Sequence, residues 1–510
     1  MSNINNKRIA KNTLFLYIRM LFIMVVNLYT TRVVIKTLGI EDYGVYNVVG
    51  SFVAMFTMLS GSLSAAISRF ITFELGRNDI DNLKKVFSSA VTIQIGLAMI
   101  IIILAETIGL WFLNVKMEIS PERMNAANWV YQFSVLTFVI NLVCIPFNAS
   151  IIAHEKMSAF AYISIFEVVG KLLVAFSIVI TPIDRLVHYG LLLMLISIAI
   201  CLVYGFYCKI KFAECTYQFI YDKTLLKKMF GFAGWNFIGA SSGVLRDQGG
   251  NIIINMFCGA TVNAARGIAI QVSHAIQGFV TNFMTALNPQ ITKSYASGNH
   301  DYMMKLIFQG ARLSYYILLL LSLPVILNAN YILSFWLGAV PEHTVTFVQL
   351  VLIFAMSESL ANPLITAMLA TGKIRNYQII VGGLQMMNLP VSYVFLRMNY
   401  PPESVFIIAI VISTCCEMAR LYMLRDMIGL SVKKFLSKVY FNVIIVSVVA
   451  AIIPYFVIKG TDTNFINFVF TSLLCIGCTI VSILYAGCTS KERLFVAKKL
   501  KVIKNKILKH

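Results

Sequence analysis

Apolar runs about as long as a membrane-crossing helix alternate with short polar linkers along the chain. Fourteen can be drawn, at 12–36, 44–72, 86–113, 126–149, 159–181, 188–208, 229–257, 263–290, 305–328, 345–370, 377–396, 404–424, 439–458 and 465–487. A hydrocarbon core of about 30 Å takes roughly 20 helical residues, and in lipid a helix satisfies its backbone hydrogen bonds internally. The pattern therefore predicts an all-α, polytopic membrane protein of about 14 transmembrane helices. The linkers differ in charge by turns: 209–228 carries Lys209, Lys211, Lys223, Lys227 and Lys228, whereas 182–187 has Arg185 as its single basic residue. Lys and Arg resist translocation, so both termini are expected in the cytosol. Trp111, Trp129 and Trp336 then fall at outer interfaces, where amphipathic rings prefer to sit.

The eighth run, 263–290, carries Gln271, His274, Gln277 and Asn282 and is the least apolar. Removing it would place the basic tail from Lys491 to Lys509 outside, so it is read as a spanning helix that lines a water-filled cavity. Pro146, Pro289, Pro324, Pro363, Pro390 and Pro454 lie within or near the ends of spans, where a missing backbone hydrogen bond bends a helix.

With 59% hydrophobic and 13% charged residues and a mean hydropathy of +0.80, most of the surface is expected to face lipid. The net charge of +20 would suggest nucleic acid in a soluble protein. Here the basic residues are scattered through short loops and a tail, which points to membrane lipids with anionic headgroups instead. Of the ten cysteines, Cys475 and Cys478 form an isolated C-x-x-C and most others sit inside apolar runs, so no metal or other cofactor is expected. Lys7, Arg8 and Lys11 ahead of an apolar run imitate a signal peptide. That run is too long and no small-x-small cleavage site follows, so it is retained as the first span. No hydrolase elbow, P-loop or metal-binding His/Glu motif occurs, and the loops are too short for a soluble catalytic domain, which argues against an enzyme and an ATP-driven pump.

The chain also repeats itself at an offset of about 220 residues. Gly39 corresponds to Gly259, and Gly76, Asn78, Asp79 and Lys84 have counterparts in Gly298, Asn299, Asp301 and Lys305. Two six-helix halves follow, related by an axis along the membrane normal, with an added pair of spans at the end. The expected domains are 1–222, 223–430 and 431–510.

Ionisable residues at membrane depth carry the remaining chemistry, because each costs about 3 kcal/mol or more if it faces lipid. In span one Arg19, Ile23, Asn27 and Thr30 share a face, with Arg32 nearer the outer end; snorkelling is the alternative for Arg19, and is favoured for Arg69 and Arg420. In span seven Arg246 and Asp247 are flanked by Gly243, Gly249 and Gly250 and form the best single candidate site; adjacent helix positions point about 100° apart, so the two need not pair. Glu167 and Lys171 stand i, i+4 and either neutralise one another or open to an anionic substrate. Arg266 and Arg312 add positive charge to the second half, while Asp247, Glu167, Glu358 and His274 are candidates for ion coupling. This basic bias disfavours a cationic cargo and fits a phosphate-bearing amphiphile, since arginine grips phosphate oxygens through paired hydrogen bonds.

Leu38, Gly39, Glu41, Tyr43, Gly44 and Tyr46 form a Leu-Gly-x-Glu-x-aromatic-Gly-x-Tyr turn within Val33 to Arg77. This turn resembles the polysaccharide transporter branch of the multidrug, oligosaccharidyl-lipid and polysaccharide exporter superfamily, the Wzx-type flippases of O-antigen and capsule repeat units. The likeness extends more loosely over the first twelve spans. It implies two six-helix lobes in a V shape and movement of undecaprenyl-pyrophosphate-linked oligosaccharide from the cytoplasmic to the outer leaflet of a bacterial inner membrane. An ion gradient or membrane potential would drive it, and a polysaccharide polymerase and glycosyltransferases would be partners. It also implies that Arg19, Arg69 and Arg246 are basic cavity residues. The two extra spans are similar to the lipid II flippases, which stay open as a second reading beside a drug/cation antiporter of the same superfamily and a non-transporting scaffold for glycan-assembly enzymes.

Overall fold

The computed structural model describes residues 2–39, 42, 45–46, 49, 57–115, 120–181, 184–220, 222–338, 340–461, 464–489 and 492–493. Among these the secondary structure is helical, with no strand. Glu41, Tyr43 and Gly44 of the turn, the first part of span two and most of the basic tail lie outside the described residues.

Eleven helices among the described residues are long and apolar enough to cross a membrane: Arg8–Leu38, Ile80–Val115, Met124–Ala153, Met157–Ser177, Arg185–Lys211, His300–Leu327, Thr344–Thr371, Arg375–Arg397, Ser404–Ile428, Val432–Lys459 and Phe465–Gly487. They correspond to spans one, three to six and nine to fourteen. The other three are helical too, but polar. Span two continues as Thr57–Arg77, and spans seven and eight merge into Lys223–Ala296, interrupted at Gly259 (φ 83°, ψ 176°). That backbone region is open essentially to glycine alone, so one residue without a Cβ lets the chain turn sharply with no intervening loop. The expected bend at Pro289 lies within the same helix, and Pro146, Pro324 and Pro454 also lie inside helices.

Two backbone features recur at an offset of 220 residues. Gly39 (φ 86°) and Gly259 (φ 83°), and Asn78 (φ 57°) and Gly298 (φ 73°), share positive φ at that offset, a register that sets Gly298 opposite Asn78 and not, as expected from the sequence, opposite Gly76. The residues that follow cap the next helix alike: Asp79 accepts from the Asn82 amide at 3.0 Å and Asn299 from the Tyr302 amide at 3.2 Å. Equivalent helix entries therefore use the same side-chain oxygen to satisfy an otherwise unpaired N–H.

The chain divides into two compact units, one of Met1–Ala240, Thr285–Met303 and Leu369–Gln378, the other of Ser241–Met284, Met304–Met368 and Ile379–His510. This partition differs from boundaries at 223 and 431, because the two ends of Lys223–Ala296 fall in the first unit and its middle in the second. The first unit is cored by Leu16, Ile67, Ile71, Phe87 and Met157, with a second cluster around Val34, Ala127 and Tyr131. In the other unit Ala265, Ala269, Phe347 and Leu352 pack together. Large apolar side chains such as Phe206, Phe456 and Ile466 are exposed, as a surface solvated by lipid requires.

On one loop face of the first unit Arg123 holds Asp42 (Nε to Oδ1, 2.7 Å) and Asp184 (Nη1 to Oδ2, 2.6 Å). Asp42 belongs to the Leu38–Tyr46 turn, so this cluster ties that turn to the start of Arg185–Lys211, where Asp184 also caps the amides of Leu186 and Val187.

Candidate functional site

The second unit encloses a cavity of about 370 Å³ whose wall includes Arg246, Asp247, Arg266, His274 and Glu358. These five positions come from three helical segments: the two arms of Lys223–Ala296 on either side of Gly259, and Thr344–Ser359. The volume falls in the range of small-molecule sites. On the arm after the kink Arg266, Ile270, Ser273 and Gln277 recur every three or four residues, which turns them to the cavity together. Of the polar residues of span eight, His274 and Gln277 line the cavity, whereas Gln271 is exposed and lies outside its wall. Gln277 steadies that wall by donating to Ser273 Oγ at 2.9 Å.

Arg246 and Asp247 do pair, contrary to what their adjacency suggests: Nε lies 2.9 Å from Oδ1 and Nη2 3.4 Å from Oδ2. The long arginine side chain folds back across the angle that separates neighbouring helix positions. Its guanidinium also sits 4.9 Å from the centre of the Phe354 ring, a cation–π contact that holds the charge where lipid would not solvate it.

Arg266 is held differently. It is 8% exposed and donates from Nη2 to the Asp247 carbonyl at 2.8 Å and from Nη1 to Asn251 Oδ1 at 3.4 Å. Its Nε is buried with no hydrogen-bond partner among the described residues. Gly250 makes the room, since a Cβ there would lie 3.3 Å from Nη2. Gly249 serves packing: its missing Cβ would meet Leu389 Cδ1 at 2.0 Å. Gly243 faces open space. Of the three glycines around Arg246, only two answer to close approach.

Beside the cavity is a buried network. Glu358 accepts from Ser413 Oγ at 2.5 Å. Glu417 and Arg420 are fully buried and paired at 2.9 Å, and the Tyr440 hydroxyl donates to Glu417 at 3.2 Å. Snorkelling, the expectation for Arg420, is therefore replaced by burial at 2% exposure. The i, i+3 spacing of Glu417 and Arg420 was the available signal. The π-helical turn Leu436–Tyr440 that carries Tyr440 could not be read from the sequence.

The remaining candidates lie elsewhere. Arg312 is bound to Glu492 at 2.9 Å and to the Gly487 carbonyl at 3.1 Å. In the first unit Arg69 donates to the carbonyls of Leu369 (3.3 Å) and Ala370 (2.8 Å) and lies over the rings of Phe73 and Phe70. Those carbonyls are in the last turn of Asn362–Thr371, where a helix leaves acceptors unpaired. The ring contacts and backbone acceptors fix Arg69 in place, which free snorkelling would not. Lys171 and Glu167 are paired at 2.6 Å, the self-neutralising alternative. Arg19 packs 4.3 Å from the Phe160 ring, and Glu167 and Tyr204 are its electrostatic neighbours. Arg32 is exposed.

Solved structures share this fold. A MATE protein in complex with MaD3S is 13% identical with a TM-score of 0.72, over 83% of this chain and 97% of that one. An outward-facing multidrug resistance MATE family transporter of the MOP superfamily is 13% identical with a TM-score of 0.71, over 83% and 96%. A MOP superfamily transporter from Pyrococcus furiosus, whose binding pocket of reverse polarity is said to suggest a different function, is 14% identical with a TM-score of 0.71, again over 83% and 96%. No curated protein sequence matches the chain. The helical architecture is that of a multi-pass membrane protein, and its fold is shared with these transporters. The chain belongs to the polysaccharide biosynthesis protein family, whose model matches residues 7–295, and with it to the polysaccharide exporter branch of the superfamily.

Proposed function

We propose that the protein is a flippase that carries polyprenyl-pyrophosphate-linked oligosaccharide, in the undecaprenyl form, from the cytoplasmic to the outer leaflet of a bacterial inner membrane. Both termini are then cytosolic. The observation that carries this reading is Arg266: a desolvated guanidinium, whose Nε has no hydrogen-bond partner among the described residues, on the wall of a cavity that also holds amides, hydroxyls and a histidine. Such a group favours an anion, because a buried charge demands compensation and guanidinium–phosphate bonds are short and strong. Asn251, Gln277 and Ser392 offer the donors and acceptors a sugar needs, while the polyprenyl tail stays in lipid.

In this reading Arg266 and Arg246 engage the diphosphate. Arg246 is released from Asp247 as substrate arrives, leaving Asp247, with Glu358 and His274, to take up the coupling ion. Arg19 with Glu167 and Lys171 forms the corresponding basic spot of the first half, while Arg32 offers charge nearer the outer end of span one. Arg69 and Arg312 act by bracing helices. Glycosyltransferases and a polymerase would supply and consume the cargo. A lipid II-type flippase differs in cargo alone. A cation antiporter is favoured by the multidrug transporters among the solved structures, but it would set the buried Arg266 against a like charge.

Cells lacking the protein should accumulate the lipid-linked oligosaccharide on the cytoplasmic leaflet. Normal delivery to the outer leaflet in such cells would overturn the proposal.

A further inference from the structure

On the membrane face that carries the N-terminus, one carboxylate of the first unit gathers four elements. Glu155 sits in the tight link between Met124–Ala153 and Met157–Ser177 with a left-handed backbone (φ 58°), a conformation that is uncommon for a side-chain-bearing residue. Its side chain is 1% exposed. Oε2 meets Arg8 Nε at 3.0 Å and accepts from Gln290; Oε1 meets Lys293 Nζ at 2.9 Å. Its carbonyl accepts from Asn12 Nδ2 at 3.3 Å, and the neighbouring His154 carbonyl accepts from Arg8 Nη2 at 3.3 Å. His154 itself stacks on Phe212 at 4.0 Å and bonds Glu214 at 2.5 Å. The ends of spans one, four, five, six and eight are thereby joined through two adjacent residues.

The end of span eight is also held sterically. A Cβ at Gly76 would lie 2.8 Å from Lys293 Cα and 2.8 Å from Ala296 Cβ, so span two approaches its backbone as closely as glycine allows. The Phe73 and Tyr295 rings are 6.4 Å apart. Thus segment 285–303 is clamped among the first-half ends, while Ser241–Met284 of the same helix, with the cavity residues Arg246 and Arg266, belongs to the other unit. Two unlike cations and an amide converge on one buried carboxylate with a strained backbone, where an apolar contact would serve mere packing as well. Such an ionic hub can exist in two states, engaged or hydrated and released.

We infer that Glu155 is the latch of the gate on the N-terminal face: engaged, it closes that face, and its release from Lys293 and Gln290 frees the end of span eight so that cargo can enter. This rests on the transporter reading and names the residues that regulate access. Glu155 is a positioning residue, acting through span eight and touching no substrate.

The test uses the full-length protein in proteoliposomes with lipid-linked oligosaccharide as cargo. Glu155→Gln, and separately Lys293→Gln, should speed amide exchange of segment 285–303 at least tenfold while leaving helix Phe465–Gly487 unchanged. Phe73→Cys with Tyr295→Cys, bridged by a short bifunctional thiol reagent, should lose transport at least tenfold; each single variant treated alike should keep it. A brace without gating function would tolerate the bridge. Equal flux with and without the bridge, or unchanged exchange in both charge variants, would overturn the latch. Absence of flux from the unmodified protein would instead remove the transporter reading.

Discussion

Arg266 Nη2 lies 2.8 Å from the carbonyl of Asp247, bridging the two arms that meet at the Gly259 kink. Arg246 takes the carboxylate of that same aspartate, so one acidic residue organises two guanidiniums and neutralises only one. Glu358 on the same wall balances the formal charge, and what an anionic headgroup would answer is the Arg266 Nε that has no hydrogen-bond partner among the described residues.

Arg266→Ala should weaken binding of a pyrophosphate-bearing lipid by about ten- to a hundredfold, as expected for loss of a hydrogen bond to a charged group of about 1.5–3 kcal/mol, while membrane insertion is retained. Arg266→Lys should restore only part, because an ammonium cannot present the planar fork. Titration of the purified variants with the lipid checks both.

Gly259→Ala forces a Cβ into a region essentially reserved for glycine and should cost on the order of 1–3 kcal/mol, read as a lowered thermal midpoint in detergent. Gly39→Ala, at the equivalent position of the first half, should act in the same direction, which makes the pair a test of the repeat.

Glu417→Ala leaves Arg420 buried and unpaired and should destabilise by about 3–5 kcal/mol, whereas replacing both by apolar residues of similar volume should cost much less. A double-mutant cycle on thermal unfolding separates the two outcomes.

Asp184, outside the spans, gives a pH signature. Burial alone would push its carboxyl upward, but the Arg123 guanidinium and the amides of Val187 and Leu186 hold it below the ordinary range. Its folded value lies below its unfolded one, so its contribution is fully present above the usual aspartate pKa of about 3.9 and is lost as pH falls through the depressed folded value. Asp184→Asn should flatten the acid limb of a thermal-midpoint profile against pH.

The apolar runs sufficed to locate the eleven helices long and apolar enough to cross a membrane, with starts displaced by up to seven residues, because lipid imposes length and backbone pairing on each segment separately. They also marked Arg246, Asp247, Arg266, His274 and Glu358, whose membrane depth made them costly without an interior partner. What they could not supply were partners distant in sequence. Arg312 resembles a free cavity cation until Glu492 is brought to it, and Arg69 until the carbonyls of Leu369 and Ala370 are. Glu155 gave no signal, since a glutamate in a short linker reads as solvated; its burial depends on Lys293 and Gln290 in a helix of the other sequence half.

The most direct measurement is flux of polyprenyl-pyrophosphate-linked oligosaccharide between leaflets of liposomes containing the purified protein. Protein-dependent flux that is lost on Arg266→Ala is the predicted result. Flux no faster than in protein-free liposomes, or equal in the variant, would contradict the account.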